Sequence, residues 1–306
     1  MQIGALVPLT RPGWVEVGQH LLAGMELAAR EVDLDLELVV RDTAADPQRA
    51  AAAVDELVGL GVAALAGEYH SVAARGAAAR ADALGVPFVC SSAVLDALTD
   101  QPTDWVARLA PPQSWGWRRY AEFLIGAGHT RVAVAAATSV YWAAGTRILH
   151  EHLDVVEIDP ADVCEALVRS RATAVLVLLG VPATESVVRA VRRDPRLADV
   201  LIGAPAGQPE LADWATGIPF LRYRPERLNA LGTRVESELT TRLGESPSFV
   251  ALEGYDAILV LAERLRGATW STVAVEGTRG EIRFSRVPGI SVWQWAEAPI
   301  HVFNAR

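Results

Sequence analysis

The sequence predicts an α/β protein with two doubly wound, parallel-sheet lobes. Short apolar runs alternate with longer helical patterns along most of the chain, which is typical of βαβ units whose sheet is covered by helices on both faces. The alternation pauses at residues 100–115 and then restarts, which indicates a second half of the same kind. The length of 306 residues is too great for one ordinary core and suits two lobes.

The first half of the chain contains strands and helices in alternation. Its second helix has the clearest ends, with Asp46 as the N-cap, Pro47 at the first helical position and Gly59 near the end. In order from the first strand, the predicted elements are residues 3–7, 13–32, 36–40, 46–61, 62–66, 71–84 and 86–90.

Prolines interrupt the pattern after this point. Pro102, Pro111 and Pro112 lie within residues 100–115, which are therefore predicted to be a crossing segment without an element of their own. The alternation then restarts with a helix. In order from that helix, the predicted elements are residues 114–127, 131–137, 141–150, 154–158, 161–170, 173–179, 184–193 and 199–203.

The last third of the chain follows a different pattern. Residues 220–228 look like a second crossing, and two helices are predicted at 225–243 and 249–265. The stretches EIRF and SVWQW then alternate in the manner of strands. A chain that visits one half, then the other, and then returns predicts two lobes linked by several crossovers. Open parallel sheets bind ligands beyond the carboxyl ends of their strands, so a ligand cleft between the lobes is expected.

The composition limits the classes of partner. A hydrophobic fraction of 51% with 21% charged residues predicts a folded chain. The net charge of −9 and the absence of a basic cluster argue against a nucleic-acid partner. The longest apolar runs, such as residues 174–181, are shorter than the roughly 18–20 residues that a membrane span requires.

The compartment stays open at this stage. The opening MQIGALVPLT lacks the basic and apolar regions of a signal peptide, so the protein is expected to be extracytoplasmic if a leader was removed and cytoplasmic otherwise. Cys90 and Cys164 are predicted to be small buried apolar residues, with a disulfide between them as the alternative.

Sequence motifs of catalysis and cofactor binding are absent. There is no GxSxG elbow, P-loop or HExxH motif, and GLGVAA at 59–64 ends a helix where a dinucleotide fingerprint would begin one. HEH at 150–152 has no third ligand nearby and indicates a solvated helix end. We therefore expect no enzyme activity, no cofactor and no metal. A hydrolase that uses Ser71 and His70 is the less favoured alternative, because adjacent residues rarely face one another.

Several stretches of the sequence, taken in order, carry a resemblance to a known family. They are IGALVPLTRPGWVEVGQHLLAGMELAAREV, LELVVRDTAADPQRAAAAVDELV, GVPFVCSSAVLDALTD, WVARLAPPQSWGWRRYAEFL, ALEGYDAILVLAERL and GEIRF with VWQW. Together they resemble the leucine/isoleucine/valine-type (branched-chain amino acid) solute-binding proteins of ABC importers.

The resemblance implies a type I periplasmic-binding fold with two lobes, three crossovers and no catalysis. By analogy, lobe one is expected at 1–111 plus 225–287, and lobe two at 112–224 plus 288–306. A small-molecule ligand and an ABC permease are the implied partners.

The stretch GEYHSVAARG, residues 67–76, is the first candidate ligand elbow. A predicted strand ends at its glycine, and Tyr69, His70 and Ser71 follow where a helix begins. A hydroxyl beside free backbone N–H groups at a helix N-terminus forms an anion site, and the resemblance assigns Ser71 to the ligand's carboxylate. The alternatives are that Ser71 only caps the helix and that His70 is structural rather than a titratable donor.

The second candidate elbow is CSSAVLDALTD, which follows the next strand. The resemblance implies that small residues and a threonine offer backbone and hydroxyl groups to the ligand here. Ser91, Ser92 and Ala93 fit, but Val94 stands where the threonine is expected, so one hydroxyl is missing. The alternative is that the serines simply cap a short helix.

Aromatic residues are the remaining candidates. The resemblance aligns Tyr141 with a ligand-contacting tyrosine of lobe two, and Trp142 follows it. Trp14, in the TRPGW loop, is a candidate aromatic lid. The alternative for these residues is packing within their own lobe.

Two departures from the family's pattern bear on the ligand. The acid that would neutralise an amino acid's ammonium is expected within GAPAG at 203–207, where Ala204 and Pro205 stand instead. A second aromatic is missing at Val181 or Pro182. A buried ammonium without a counter-charge is costly, so a carboxylate, an amide or a more apolar metabolite is expected unless Glu68 or another acid substitutes.

The sequence thus predicts a non-enzymatic solute-binding protein that captures a small organic metabolite for an ABC importer. The alternative is a cytosolic ligand sensor of the same fold that acts on a regulator.

Overall fold

The structure is a computed structural model that describes residues 1–11, 14–206, 210 and 212–304. Parts of two predicted loops, TRPGW and GAPAG, lie outside the described residues. The chain divides into two compact units: unit one is Met1–Pro112 with Tyr223–Pro299, and unit two is Gln113–Arg222 with Ile300–Arg306. Both contain parallel strands with helices between them, so the predicted α/β class is confirmed.

The strands follow the predicted alternation over most of the chain. In chain order they are β1 (Gln2–Val7), β2 (Glu37–Asp42), β3 (Ala64–Gly67), β4 (Phe88–Cys90), β5 (Val106–Arg108), β6 (Arg131–Ala136), β7 (Asp154–Ile158), β8 (Ala174–Leu178), β9 (Leu201–Gly203), β10 (Pro219–Arg222), β11 (Ala274–Gly277), β12 (Gly280–Ser285), β13 (Trp293–Trp295) and β14 (His301–Asn304).

The α-helices lie between these strands and complete the βαβ units. In chain order they are α1 (Val15–Glu31), α2 (Pro47–Gly59), α3 (Ser71–Leu84), α4 (Gln113–Gly126), α5 (Val140–His150), α6 (Val163–Ser170), α7 (Val181–Arg193), α8 (Ala230–Leu243) and α9 (Phe249–Leu265).

Unit one contains an eight-stranded sheet in the order β11-β12-β13-β5-β4-β3-β1-β2. From β13 to β2 all pairs are parallel, whereas β11 and β12 form an antiparallel edge. The carboxyl ends of the parallel strands therefore lie along one edge of the sheet. That edge carries both predicted elbows, because they follow β3 and β4.

Strand β5 corrects the sequence prediction for residues 100–115. This segment was expected to contain no element, yet Val106–Arg108 pairs with β4 on one side and β13 on the other. The strand is only three residues long and fully buried. A strand this short between prolines has no alternation to reveal it in the sequence.

Residues 288–299 belong to unit one rather than to the second lobe. Strand β13 pairs parallel with β5 and antiparallel with β12, both in unit one. The expected boundary at 287 is therefore too early, and unit two receives only the terminus that begins at Ile300. The partner of a three-residue strand is decided by long-range pairing, which the local pattern does not contain.

Helix ends follow the capping residues. The side chain of Asp46 accepts hydrogen bonds from the backbone N–H groups of Gln48 and Arg49 at the start of α2, as predicted. Helix α8 begins at Ala230 and not at Pro225, because the side chain of Asn229 is the N-cap.

Glycines allow α1 and α9 to pack closely in unit one. A Cβ atom on Gly24 would lie 1.8 Å from the carbonyl oxygen of Ala251, and one on Gly254 would lie 2.2 Å from that of Leu21. Helix α9 is almost entirely buried, and it also contacts strands of the sheet. The helix pair thereby covers one face of the unit-one sheet.

Unit two contains a four-stranded parallel sheet in the order β7-β6-β8-β9 and an antiparallel pair, β10 with β14. Its core lies between this sheet and helices α6 and α7. None of the described helices is long and apolar enough to cross a bilayer. Cys90 and Cys164 are both free thiols, the first buried and the second half-buried.

Candidate ligand site

The two elbows predicted from sequence lie side by side in unit one. Gly67 at the end of β3 pairs with Cys90 at the end of β4, and the backbone N–H of Ser91 donates to the carbonyl of Gly67 at 2.9 Å. Gly67 has φ of 125°, and a Cβ atom there would lie 2.0 Å from the carbonyl oxygen of Leu6. Only glycine suits this turn, which brings the start of α3 against the second elbow.

Ser71 joins the two elbows through its hydroxyl. Its Oγ accepts hydrogen bonds from the backbone N–H groups of Val94 at 3.2 Å and Leu95 at 3.3 Å. The N-cap of α3 is His70, so the alternative that Ser71 is only a helix cap is wrong. A hydroxyl has two lone pairs, and both are engaged here. No acceptor for the Ser71 proton is found among the described residues, so the proton is available to a further acceptor.

The start of α3 adds positive potential at the same place. The helix has 14 residues, and its first backbone N–H groups have no partner within the helix. Such N–H groups and the helix dipole favour an anion at the N-terminus. The Ser71 hydroxyl and these groups together suit one carboxylate.

Glu68 is held inside unit one and does not provide an external counter-charge. The Thr43 hydroxyl donates to its Oε2 at 2.5 Å, and the His70 backbone N–H donates to its Oε1 at 2.8 Å. Its side chain is fully buried. Burial raises the pKa of Glu68 to about 7. The suggestion that Glu68 neutralises a ligand's ammonium is therefore not supported by its geometry.

The remaining residues of the first elbow are half-buried. The rings of Tyr69 and Trp14 have centroids 5.9 Å apart and form an aromatic pair beside the elbow. Burial lowers the pKa of His70. The ring Nδ1 of His70 has no hydrogen-bond partner among the described residues. No hydrogen bond between the described residues joins the His70 ring to the Ser71 hydroxyl, which a nucleophile and its base would require.

The second elbow offers mainly backbone groups. Ser91, Ser92, Ala93 and Val94 are all buried, and the Ser92 hydroxyl donates to that of Ser91 at 3.2 Å. Residues 91–100 contain no helix, so the alternative that these serines cap one is wrong. Val94 lacks the expected hydroxyl, and its backbone N–H makes the contact with Ser71 instead.

Arg108 binds backbone carbonyls of the second elbow and was not among the predicted site residues. Its Nη1 donates to the carbonyl of Leu95 at 2.6 Å and to that of Val94 at 3.3 Å. Its Nε donates to Oε1 of Gln294 at 2.7 Å. The side chain is fully buried, and burial lowers the pKa of Arg108 to about 10. Sequence reasoning missed it because residues 100–115 were predicted to be a crossing.

Tyr141 and Trp142 belong to an aromatic cluster within unit two. The Ser139 hydroxyl caps α5 by accepting from the Trp142 N–H at 3.0 Å. The Tyr141 ring lies 4.7 Å from that of Trp142 and 5.9 Å from that of Trp117, centroid to centroid. Trp117 fits because a Cβ atom on Gly145 would lie 2.0 Å from its ring. Trp142 is buried, which agrees with the alternative that it packs within its own lobe. Tyr141 is half-buried, so part of its side chain remains accessible to a ligand.

Gln113 fixes this cluster from α4. Its side-chain Nε2 donates to the carbonyl of Tyr141 at 3.0 Å. Its Oε1 is buried without a hydrogen-bond partner in the described part of the chain. Neither Gln113 nor Trp117 was predicted, since nothing local in the sequence relates them to Tyr141.

Pro205 lies just after β9 and is buried with Ala204. The backbone N–H of Ala204 donates to the carbonyl of Pro219 at 3.1 Å, which also accepts from the Tyr120 hydroxyl at 2.8 Å. Val181 opens α7 at the place where an aromatic was expected. The described residues 203–206 therefore provide backbone and methyl groups but no carboxylate.

A metal centre finds no support among the residues that the structure describes. They contain no group of three histidine, cysteine, aspartate or glutamate side chains that could hold an ion. In the HEH stretch, the His150 ring Nε2 lies 3.4 Å from Oε1 of Glu157, and both side chains are exposed.

Comparison with known proteins gives the same fold. A family model described as periplasmic binding protein matches residues 1–283. A leucine-binding protein from Thermotoga maritima has a TM-score of 0.83 at 19% identity and covers 99% of both chains. A branched-chain amino acid transporter substrate-binding protein from Streptococcus pneumoniae, in complex with isoleucine, has a TM-score of 0.82 at 19% identity over 99% of this chain and 95% of its own.

A third solved structure carries a different ligand. It is a solute-binding protein of an ABC transporter from R. palustris in complex with benzoate, with a TM-score of 0.78 at 16% identity over 99% of this chain and 98% of its own. No curated protein matches the chain. At these identities the structures establish the type I periplasmic-binding fold.

Proposed function

Because this chain belongs to the periplasmic binding protein family, we propose that it captures a small organic carboxylate for an ABC importer. The observation that carries the proposal is the Ser71 hydroxyl, whose lone pairs are engaged by two backbone N–H groups and whose proton is left to donate. A carboxylate accepts hydrogen bonds without donating any, so it complements this group and the N-terminus of α3.

The ligand's other end is proposed to be neutral and apolar. Glu68 is bonded internally, and residues 203–206 contain no acid. The ligands named with the compared structures, isoleucine and benzoate, share a carboxylate, and only isoleucine carries an ammonium. The half-buried rings of Trp14 and Tyr69 stand beside the Ser71 elbow and offer apolar surface. A benzoate-like or branched aliphatic acid suits these groups.

The remaining candidate residues have supporting roles in this proposal. Ser92 and Ala93 contribute backbone groups from the second elbow, and the exposed part of Tyr141 contributes from unit two. Neither the family match nor any described residue favours the ligand-sensor alternative.

Binding without catalysis is the second part of the proposal. The Ser71 hydroxyl receives its hydrogen bonds from backbone N–H groups and not from a base. A serine nucleophile needs a general base within hydrogen-bond reach. Turnover of esters or amides that is lost in Ser71→Ala would contradict this part.

Replacing Ser71 by alanine is expected to weaken ligand binding by roughly 1–3 kcal/mol, because a charged acceptor then loses its donor. The ligand is first sought by thermal shift with a panel of acids that includes benzoate, 4-hydroxybenzoate and 4-methylpentanoate. Binding selective for the folded state must raise the melting temperature. Titration calorimetry then compares the wild type with the variant.

The control for this measurement is Ser237→Ala, which removes an exposed hydroxyl from α8 of the same unit. Its affinity should equal that of the wild type. An unchanged affinity in Ser71→Ala would remove Ser71 from the site. A wild type that binds no acid of the panel would contradict carboxylate capture itself.

Free leucine is expected to bind more weakly than 4-methylpentanoate, which has the same side chain and carboxylate but no ammonium. The reason is the cost of burying an ammonium without a counter-charge, since Ala204 and Pro205 occupy the expected acidic position. Calorimetric titration of both compounds provides the comparison. Submicromolar leucine affinity would overturn the assignment of a non-amino-acid ligand.

A further inference from the structure

Arg108 is a buried cation that is surrounded by neutral partners. Its hydrogen bonds go to the amide of Gln294 and to the carbonyls of Val94 and Leu95. Its Nη2 is buried and has no hydrogen-bond partner among the described residues. No described carboxylate lies within ion-pair distance of Arg108, although Arg279 of the same unit pairs with two.

The groups that face Arg108 do not neutralise it. Burial raises the pKa of the neighbouring Cys90 to about 12, so that thiol is uncharged at neutral pH. Asp96, which is half-buried within the second elbow, attracts Arg108 through space. Taking a cation out of water without a direct counter-ion is costly. An anion that binds at this place would offset part of that cost.

A single peptide group connects Arg108 to Ser71. The Val94 carbonyl, which accepts from Arg108 Nη1 at 3.3 Å, belongs to the same peptide unit as the Leu95 N–H. That N–H donates to the Ser71 Oγ at 3.3 Å. Hydrogen bonds in such a chain polarise one another, so a cation at one end strengthens the donor at the other. The end of this chain is the Ser71 proton.

We propose that Arg108 is the positioning residue that makes the site selective for anions, by holding the Val94–Leu95 turn against Ser71 and strengthening the Ser71 hydroxyl as a donor. The inference rests on the proposed function, because it concerns the same elbow. Its consequence is a preference for a carboxylate over the neutral amide of the same shape. A residue that only maintained the fold would weaken both ligands to the same extent.

The test compares matched acids and amides, benzoate with benzamide and 4-methylpentanoate with 4-methylpentanamide, by titration calorimetry. In Arg108→Gln the ratio of acid affinity to amide affinity is expected to fall at least about tenfold, since a charge-assisted hydrogen bond is stronger than a neutral one. Arg75→Gln is the matched control, because it removes an exposed arginine of α3 and should leave the ratio unchanged.

A second variant keeps the test decisive if Arg108→Gln does not fold. Gln294→Glu places a carboxylate where the amide oxygen now lies 2.7 Å from Arg108 Nε. Arg108 then has an internal counter-ion, and the acid-to-amide ratio is expected to fall in the same direction.

The outcomes separate this inference from the proposed function. A wild type that prefers acids, with a ratio unchanged in every one of the two variants that folds, overturns the role of Arg108 and leaves carboxylate capture intact. A ratio that falls in either variant, and not in Arg75→Gln, supports it. A wild type that binds none of these acids overturns the proposed function and this inference with it.

Discussion

Replacing Arg279 by methionine is expected to lower the free energy of unfolding by roughly 3–5 kcal/mol, because it leaves two buried carboxylates without their cation. Arg279 Nε donates to Oδ2 of Asp256 at 2.9 Å, and its Nη1 donates to Oε1 of Glu253 at 3.0 Å. All three side chains are fully buried. Asp256 and Glu253 lie one turn apart on α9.

Further contacts add to the cost of removing Arg279. Its Nη1 also donates to the carbonyl of Tyr223 at 2.9 Å, and its guanidinium lies 5.0 Å from the centre of the Trp295 ring. Burial raises the pKa of Asp256 despite the nearby Arg279 charge. Without Arg279, the carboxylates must take up protons or be exposed to water, and either change opposes folding.

Chemical denaturation followed by tryptophan fluorescence measures this loss. The matched control is Arg283→Met. Arg283 and Glu281 both lie on β12, and their ion pair is exposed. The control should unfold at the wild-type denaturant concentration, because exposed pairs contribute little. Equal denaturation midpoints for Arg279→Met and Arg283→Met would show that the buried ion pairs of Arg279 with Asp256 and Glu253 do not stabilise unit one.

Replacing Glu68 by glutamine is expected to remove a pH-dependent loss of stability of roughly 3.5 kcal/mol. The figure follows because burial raises the Glu68 pKa by about 2.5 pH units, and each unit corresponds to about 1.4 kcal/mol. The pKa rises from the ordinary 4.5 to about 7 in the folded protein. Glutamine keeps an acceptor for the His70 N–H, and its amide N–H can donate to the Thr43 hydroxyl, which donates to Glu68 in the wild type.

The sign follows from the direction of the shift. A carboxyl group with a raised pKa in the folded state contributes stability that is fully present below pH 4.5 and is lost as the pH rises through about 7. Glu68→Gln lacks this titration. The variant should therefore become progressively more stable than the wild type between about pH 5 and pH 8.

Denaturation curves collected across this range test the difference. Glu56→Gln, which removes an exposed carboxylate from α2, reports the effect of losing a charge from the same unit. A difference between wild type and Glu68→Gln that stays constant from pH 5 to pH 8 would show that Glu68 is ionised in the folded protein throughout.

Much of the fold was predictable because its signals are local. The start of α2 depends on the side chain of Asp46 and on two backbone N–H groups within the next three residues. The elbow at Gly67–Ser71 follows from an apolar run that ends at a glycine and precedes a helical pattern. The alternation of such runs was sufficient to predict the parallel-sheet class and the restart in the second half.

The place of short strands in the sheet was not predictable in this way. β5 and β13 have three residues each, and their place in the sheet depends on pairing with each other across more than 180 residues of sequence. Their burial is a consequence of that pairing. The boundary of the second lobe was misplaced for the same reason.

The sequence by itself determined most of the order of strands and helices, the two elbows and the absence of an acid at residues 203–206. Only the tertiary structure decided which groups those elbows contact. Ser71 Oγ accepts hydrogen bonds from the backbone N–H groups of Val94 and Leu95, and Arg108 donates to the carbonyl of Leu95. The physical reason is that propensity and periodicity report the environment of one segment. A hydrogen-bond partner is chosen by the folding of the sheet that brings distant segments together.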